Sequence, residues 1–225
     1  MKLNPLEQLK SDLGKSFTPQ QMENSLQKAY ASFDEFVEKF KTDYSVKLAC
    51  HEGCSICCYL RVDAKAHEIL AIANFIASKF SPDVRTSTLD RLNSHAQLVH
   101  GLSYTEHMAT NIVCPLLVDG RCSIYSMRPF GCRRHQSQRI DVCQHSFDYP
   151  KDLEYPSARH VPLFRMTLEV ENSLQAIYSS ADYDETGYEL GTALLEALTN
   201  PKAWRRWKDH KKTFLQAVTA PAVLH

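Results

Sequence analysis

The sequence predicts a mainly α-helical protein, built as a helical domain with a small irregular cysteine-rich insert that contains a short β-hairpin. Two observations predict this fold class. Over most of the chain, apolar residues recur at three- and four-residue steps, which is the period of amphipathic helices. All eight cysteines lie between Cys50 and Cys143, and after Cys114 short apolar runs and turn residues interrupt that period. The chain has 225 residues and can bury a core without disulfides, so we expect a single domain over residues 1–225.

The first helix is predicted over residues 19–44. Thr18 is suited to the N-cap, Pro19 to the first helical position, and Gln21 to the capping-box position. One apolar stripe then follows at helical spacing, formed by Met22, Leu26, Tyr30, Phe33, Val37 and Phe40.

Three further helices are predicted between the two groups of cysteines. Asp63 is expected to cap the first of them, and Ser81-Pro82 to begin the second. Ser103 and Glu106 have the spacing of a capping box, which predicts a short helix before Cys114.

The middle block predicts a β-hairpin around Asp119-Gly120, because a type I′ turn needs positive φ at both positions. In an ideal hairpin Cys122 is opposite Leu117, and Cys114 points to the other face of the sheet from Cys122. Three outcomes stay open. The hairpin ends before Cys114, a bulge redirects Cys114, or the two cysteines serve different sites.

Beyond this cysteine region, 50–143, the sequence returns to helices over residues 162–218. The first of these helices begins with Leu163, and the second begins near Gly187. Asn200-Pro201 caps the last helix, whose apolar side is formed by Trp204, Trp207, Phe214, Leu215 and Val218. Its basic residues are interpreted as a solvated helix face rather than as a nucleic-acid surface.

The first cysteine group is dense and predicts a soft metal or a crosslink. Its members are Cys50, Cys54, Cys57 and Cys58, and the downstream group is Cys114, Cys122, Cys132 and Cys143. Thiolate is a preferred ligand of zinc and of iron–sulfur clusters, each of which takes about four ligands. Eight thiols suit two such sites, or one site with spare cysteines, and disulfides or inert buried thiols are the alternative. We favour a loop entering a helix for the first group, and four histidines are candidate substitute ligands, namely His51, His67, His135 and His145.

Composition limits the function classes. Lysine plus arginine and aspartate plus glutamate number 26 each, so no overall charge favours nucleic acid or an anionic membrane. No run approaches the ~18 apolar residues of a membrane span, and residues 1–7 lack the apolar core of a signal peptide. We therefore expect a cytoplasmic protein without a membrane partner. In that reducing compartment clustered cysteines favour metal binding over disulfides.

The cysteine motifs resemble the YkgJ-type cysteine-cluster family of zinc- or iron-chelating domains. The resemblance rests on Cys50-His51-Glu52-Gly53-Cys54-Ser55-Ile56-Cys57-Cys58, His67-Glu68-Ile69, Cys114-Pro115-Leu116, and the run from Gly120 to Arg133. It covers roughly residues 50–143. Flagellin lysine N-methylases carry a similar cysteine pattern and are thought to use an iron–sulfur cluster. The resemblance therefore implies that this chain holds a cluster, and it makes a protein-modifying activity one of the functions to test.

These observations give three functional hypotheses. The first is a metal-binding protein that holds an iron–sulfur cluster, favoured slightly over zinc, and exchanges electrons with a redox partner. The second is an iron–sulfur-dependent protein-modifying enzyme, and the third is an interaction module with structural zinc. Arg128 and Arg133 are candidate cofactor-binding residues that offset thiolate charge, and alternatively Arg128 holds its own turn by hydrogen bonds to carbonyls.

Overall fold

The computed structural model describes Leu13 and residues 17–221, so the signal-peptide expectation for residues 1–7 lies outside the described residues. The α-helices are α1 Pro19–Asp43, α2 Ala66–Lys79, α3 Pro82–Val99, α4 Tyr104–Met108, α5 Phe130–Arg133, α6 Ile140–Asp148, α7 Val161–Ser179, α8 Leu190–Thr199 and α9 Lys202–Lys208. The strands are β1 Asp63–Lys65, β2 Leu117–Val118, β3 Arg121–Cys122 and β4 Gly187–Glu189, and two short 3₁₀ turns span Ile56–Tyr59 and Tyr125–Met127. The mainly α-helical prediction is confirmed.

Helix α1 forms where the sequence predicts it. Thr18 Oγ1 accepts a hydrogen bond from the Gln21 backbone N–H at 3.2 Å, and the Gln21 side chain accepts one from the Thr18 N–H at 2.8 Å. The predicted stripe from Met22 to Val37 is buried. It packs against α2, and α2 packs in turn against α8, which also contacts α3.

Two small antiparallel strand pairs accompany the helices. In the first, β1 pairs with β4 in the register Asp63↔Glu189 and Lys65↔Gly187. The prediction that Asp63 caps α2 is wrong, because its carboxylate instead accepts hydrogen bonds from Arg61 at 2.8 and 3.0 Å. The N-cap of α2 is Lys65, whose backbone N–H donates to Glu68 Oε2 at 3.1 Å.

The last part of the chain is less helical than predicted. The helix expected to begin near Gly187 is present as α8, which starts at Leu190 directly after the short strand β4, whereas α9 ends at Lys208 instead of continuing towards Val218. The physical reason lies in Glu196 on α8, which is buried and accepts hydrogen bonds from the backbone N–H groups of Leu215, Gln216 and Ala217 at 2.8–3.2 Å. Those N–H groups are therefore unavailable to a continuing helix.

Candidate metal centre

The first cysteine group lies on a loop that runs into a single 3₁₀ turn, Ile56–Tyr59, where the sequence predicted a loop entering a helix. Gly53 has a φ of +91°, a conformation that glycine adopts without steric cost, and it reverses the chain between Cys50 and Cys54. The Cys58 N–H then donates to Ser55 O at 2.9 Å. Since 3₁₀ turns have about three residues per turn, Cys57 and Cys58 point in directions roughly 120° apart.

The hairpin brings Cys122 to this loop, and its short length explains the position of Cys114. Leu117 is opposite Cys122 as predicted, and Asp119 and Gly120 have φ values of +49° and +74°. The strand begins only at Leu117, so the first of the three outcomes is correct and the hairpin ends before Cys114. The Cys114 N–H donates to Cys58 O at 2.7 Å, which joins the two cysteine segments directly.

Seven of the eight cysteines line one cavity of about 490 Å³: Cys50, Cys54, Cys57, Cys58, Cys114, Cys122 and Cys132. Cys143, on α6, instead lines a neighbouring cavity of about 400 Å³, as does Cys57. All eight are free thiols, which excludes the disulfide alternative in this structure. The predicted site residues are therefore brought together, with Cys143 at the border.

The sulfur atoms around this cavity are not gathered as closely as the ligands of a single metal ion. Among the described residues, no three cysteine sulfurs lie within 4.8 Å of one another. Four thiolates bound to one zinc ion at 2.3 Å in tetrahedral geometry would lie only about 3.8 Å apart. The arrangement is therefore wider than a closed zinc–thiolate site.

Burial of the thiols disfavours their ionisation in the absence of a cation. It raises the pKa of Cys114 to about 12. Burial first, and then the neighbouring Cys114, Cys57 and Cys122, raise the pKa of Cys132 well above its usual value. A hydrogen bond with the Cys58 thiol, followed by burial, likewise raises the pKa of Cys57. Four sulfurs thus form one mutually interacting group, Cys57, Cys114, Cys122 and Cys132.

Cys50 has a different set of neighbours. Its thiol donates to His135 O at 3.3 Å and accepts from the Ser137 N–H at 3.2 Å. Burial raises the pKa of Cys50, the Ser137 N–H opposes that rise, and the thiols of Cys57, Cys143 and Cys54 add to it. Cys57 therefore interacts with Cys50 as well as with Cys114, Cys122 and Cys132.

The two candidate arginines have different surroundings. The Arg128 guanidinium opposes the rise in the pKa of Cys57, Cys122 and Cys132, so its charge acts on the thiol group. Arg128 Nε is buried and has no hydrogen-bond partner among the described residues. Arg133 donates instead to the carbonyls of Ser126 and Arg128 at 2.8 and 2.9 Å and pairs with Asp34. The carbonyl-binding role considered for Arg128 is thus filled by Arg133.

The four candidate histidines lie in unlike places. His67 is buried and hydrogen-bonds Glu185 Oε1 at 3.1 Å, and His145 lies 3.0 Å from Asp152 Oδ2. The His51 ring is held by the Glu52 carbonyl at 2.9 Å. His51 and His135 line the cysteine cavity. Of the four, these two are placed near the thiols.

Sequence reasoning missed the residue that anchors α5, the helix that carries Cys132. Glu68 is buried, and its Oε1 accepts hydrogen bonds from Tyr30 Oη at 2.8 Å and from the Phe130 N–H at 2.9 Å. One carboxylate thus ties the start of α5 to α1 and α2. Its capping-box position after Lys65 was the available signal, but the expected cap at Asp63 concealed it.

A second buried cluster lies beside the cysteines. His95, His107 and Glu189 offer nitrogen and oxygen atoms within 4.8 Å of one another. Glu189 Oε1 accepts from His95 Nε2 at 2.9 Å and from the Gly191 N–H at 3.0 Å, and Oε2 accepts from the Thr192 N–H at 2.7 Å. The Arg61 guanidinium lies 3.5 Å from His107 Nδ1. Because the carboxylate is already satisfied and a cation is adjacent, we interpret the cluster as a hydrogen-bonded cap of α8.

Residues 49–152 match a family model, CxxCxxCC, whose description is "Putative zinc- or iron-chelating domain". No curated protein and no solved structure matches the chain significantly. None of the helices within residues 17–221 is both long and apolar enough to cross a membrane. The match spans the two cysteine segments, the hairpin and α6.

Proposed function

Residues 49–152 belong to the CxxCxxCC family of zinc- or iron-chelating domains, and from that premise we propose that this metal-binding protein holds an iron–sulfur cluster with a redox role. The observation that supports the proposal is that seven cysteines line one cavity while no three of their sulfurs lie within 4.8 Å of one another in the described residues. A cluster of several irons holds its thiolates further apart than one zinc ion does.

The proposed ligands are the four mutually interacting thiols, Cys57, Cys114, Cys122 and Cys132. They fit the donor set that such a cluster requires, and Arg128 supplies a positive charge next to them. When bound, the cluster would accept and release single electrons, which would come from a redox partner protein. Binding a cation also favours the thiolate form that burial alone disfavours.

The test is anaerobic purification followed by iron and sulfide analysis and visible spectroscopy. We expect a brown protein with about four irons per chain for one [4Fe–4S] cluster. We expect Cys132→Ser to remove the colour, whereas the matched Cys143→Ser, in the neighbouring cavity, keeps it. A colourless protein with stoichiometric zinc would contradict the proposal and favour the interaction module. About eight irons per chain would add a second centre on Cys50, Cys54, Cys58 and Cys143.

An enzyme is the second candidate, because a separate cavity adjoins the proposed centre. That cavity of about 400 Å³ and the cysteine cavity share Cys57 as a lining residue. A protein-modifying enzyme needs such a space for its substrate, whereas a pure electron carrier does not. Reversible reduction with no response to added ligand would favour the electron carrier over the enzyme.

A further inference from the structure

The two cavities are separated by a wall of shared residues. Leu60, Val62 and Gly131 line both of them, and so do Cys57, Arg61 and His135. A molecule in the second cavity would therefore lie one side chain away from the thiol group. We call this second space, bordered by Tyr104, Asn111, Arg134, Tyr155 and Arg159, the arginine cavity.

The arginine cavity is positively charged. Its only carboxylate among the described lining residues is Asp63, which already pairs with Arg61 at 2.8 Å. Arg134 has a partner at 3.2 Å, Glu171, which lies outside the lining. The exposed Arg159 has no carboxylate within 4.0 Å in residues 17–221.

The walls of the cavity are aromatic and carry one unused acceptor. Tyr104, Phe147 and Tyr155 are among its lining residues. Asn111 Nδ2 donates to Phe147 O at 2.6 Å, and this carbonyl fixes the orientation of the amide because it can only accept. Asn111 Oδ1 is then buried without a hydrogen-bond partner among the described residues. Because Oδ1 is enclosed by the protein, a ligand O–H or N–H group would reach it only after a neighbouring side chain moves aside.

We propose that the arginine cavity binds a small aromatic anion, a ring that carries a carboxylate or phosphate group and an O–H or N–H donor. Arg134 and Arg159 hold the anionic group, the tyrosine and phenylalanine rings hold the flat body, and Asn111 Oδ1 accepts from the donor. The volume of about 400 Å³ suits a molecule of this size. The position beside a metal centre rests on the proposed function, whereas the binding itself does not.

The test is calorimetric titration of the full-length purified protein with 4-hydroxybenzoate, which has all three groups. We expect saturable binding with a Kd below about 1 mM. The neutral analogue 4-hydroxybenzyl alcohol should bind about 10- to 100-fold more weakly, because it cannot form charge-assisted hydrogen bonds with the arginines. Inorganic phosphate should also bind more weakly, since it makes no contact with the rings.

Two variants assign the binding to this cavity. Arg159→Gln should weaken the binding of 4-hydroxybenzoate by about 10-fold or more. Because the Arg159 side chain also contacts the Phe164 ring at 4.3 Å and Ser157 Oγ at 2.9 Å, the melting temperature of the variant is measured to check that the fold is kept. Arg205→Gln is the matched control, an arginine on α9 whose side chain is 83% exposed, and it should bind as the unchanged protein does. Equal binding of the neutral analogue or of phosphate, unchanged binding by Arg159→Gln, or no binding would overturn the proposal.

This experiment also separates the two proposals. A brown, iron-containing protein that does not bind 4-hydroxybenzoate would overturn only the anion site. A colourless protein that binds it through Arg159 would overturn only the iron–sulfur assignment.

Discussion

Buried carboxylates hold the framework around the thiols, and each does so by accepting several hydrogen bonds. Glu68 joins α1, α2 and α5, Glu189 joins α8 to His95 on α3, and Glu196 holds the segment after α9. A buried carboxylate that loses these partners is still desolvated, so a single substitution that breaks one of these sets of hydrogen bonds is expected to destabilise the fold.

The first prediction concerns Glu189, whose pKa is about 2 in the folded protein. Although burial alone would raise that pKa, the hydrogen bond and charge of His95 and the N–H groups of α8 lower it. Since the folded pKa is below the unfolded value, this stabilisation is complete above about pH 4.5 and declines as pH falls towards 2. Glu189→Gln should lower the free energy of unfolding at pH 7 by roughly 2–3 kcal/mol.

Urea unfolding of both proteins at several pH values checks this. The difference between them should shrink as the pH falls from about 4.5 towards 2, as linkage requires. Glu106→Gln, at an exposed capping box, is the control and should have a smaller effect. A difference that stays constant across this pH range would show that Glu189 stabilises the fold by packing alone.

At the scale of elements, α5 is set tightly against β1, and Gly131 allows this approach. A Cβ atom there would lie 2.7 Å from Asp63 O and 3.3 Å from Val62 Cγ1. Gly131→Ala should therefore displace α5 and the adjacent Cys132, lower the bound metal and destabilise the fold by about 1–3 kcal/mol.

Metal analysis and denaturant unfolding measure both effects. Gly101→Ala is the matched control, because its φ of +78° adds backbone strain while a Cβ would meet nothing within 4 Å. It should cost about 1 kcal/mol and leave the metal content unchanged. Full metal loading in Gly131→Ala would show that α5 tolerates the shift.

Elements with local signals could be predicted from the sequence, and those set by distant partners could not. Helix α1 and the turn at Asp119-Gly120 are encoded by neighbouring residues, and the structure has both. Strands β1 and β4 have three residues each and lie more than a hundred residues apart, too short for a periodic pattern. The gathering of the cysteines was predicted, and the cap at Lys65 had a local signal in the capping-box spacing to Glu68. The anchoring of α5 by Glu68 and the arginine cavity depend on tertiary contacts.

For the whole molecule, the metal centre and the helical core are different sources of stability. The core is centred on the packing of α1, α2, α3 and α8, whereas the thiols join the segments around Cys58 and Cys114. Removing the metal with a chelator should lower the melting temperature, because a ligand present at 1,000 times its Kd contributes about 4 kcal/mol.

Hydrogen exchange should locate this loss. Amides of residues 50–58 and 114–143 should exchange faster after metal removal, while those of α2 and α8 stay protected. Uniform loss of protection along the chain would show instead that the metal is required for the whole fold. Unchanged exchange at the cysteine segments would contradict a structural contribution by the metal.

The two cysteine segments, which the hydrogen bond from the Cys114 N–H to Cys58 O joins, are synthesised at different times. Cys132 is synthesised 74 residues after Cys58 (132 − 58), a delay of roughly 4–15 s at translation rates of about 5–20 residues per second. The four thiols of the first group therefore leave the ribosome without the partners that enclose them. During that interval the nascent chain depends on the reducing power of its surroundings, and the centre can be loaded only after α5 has been translated.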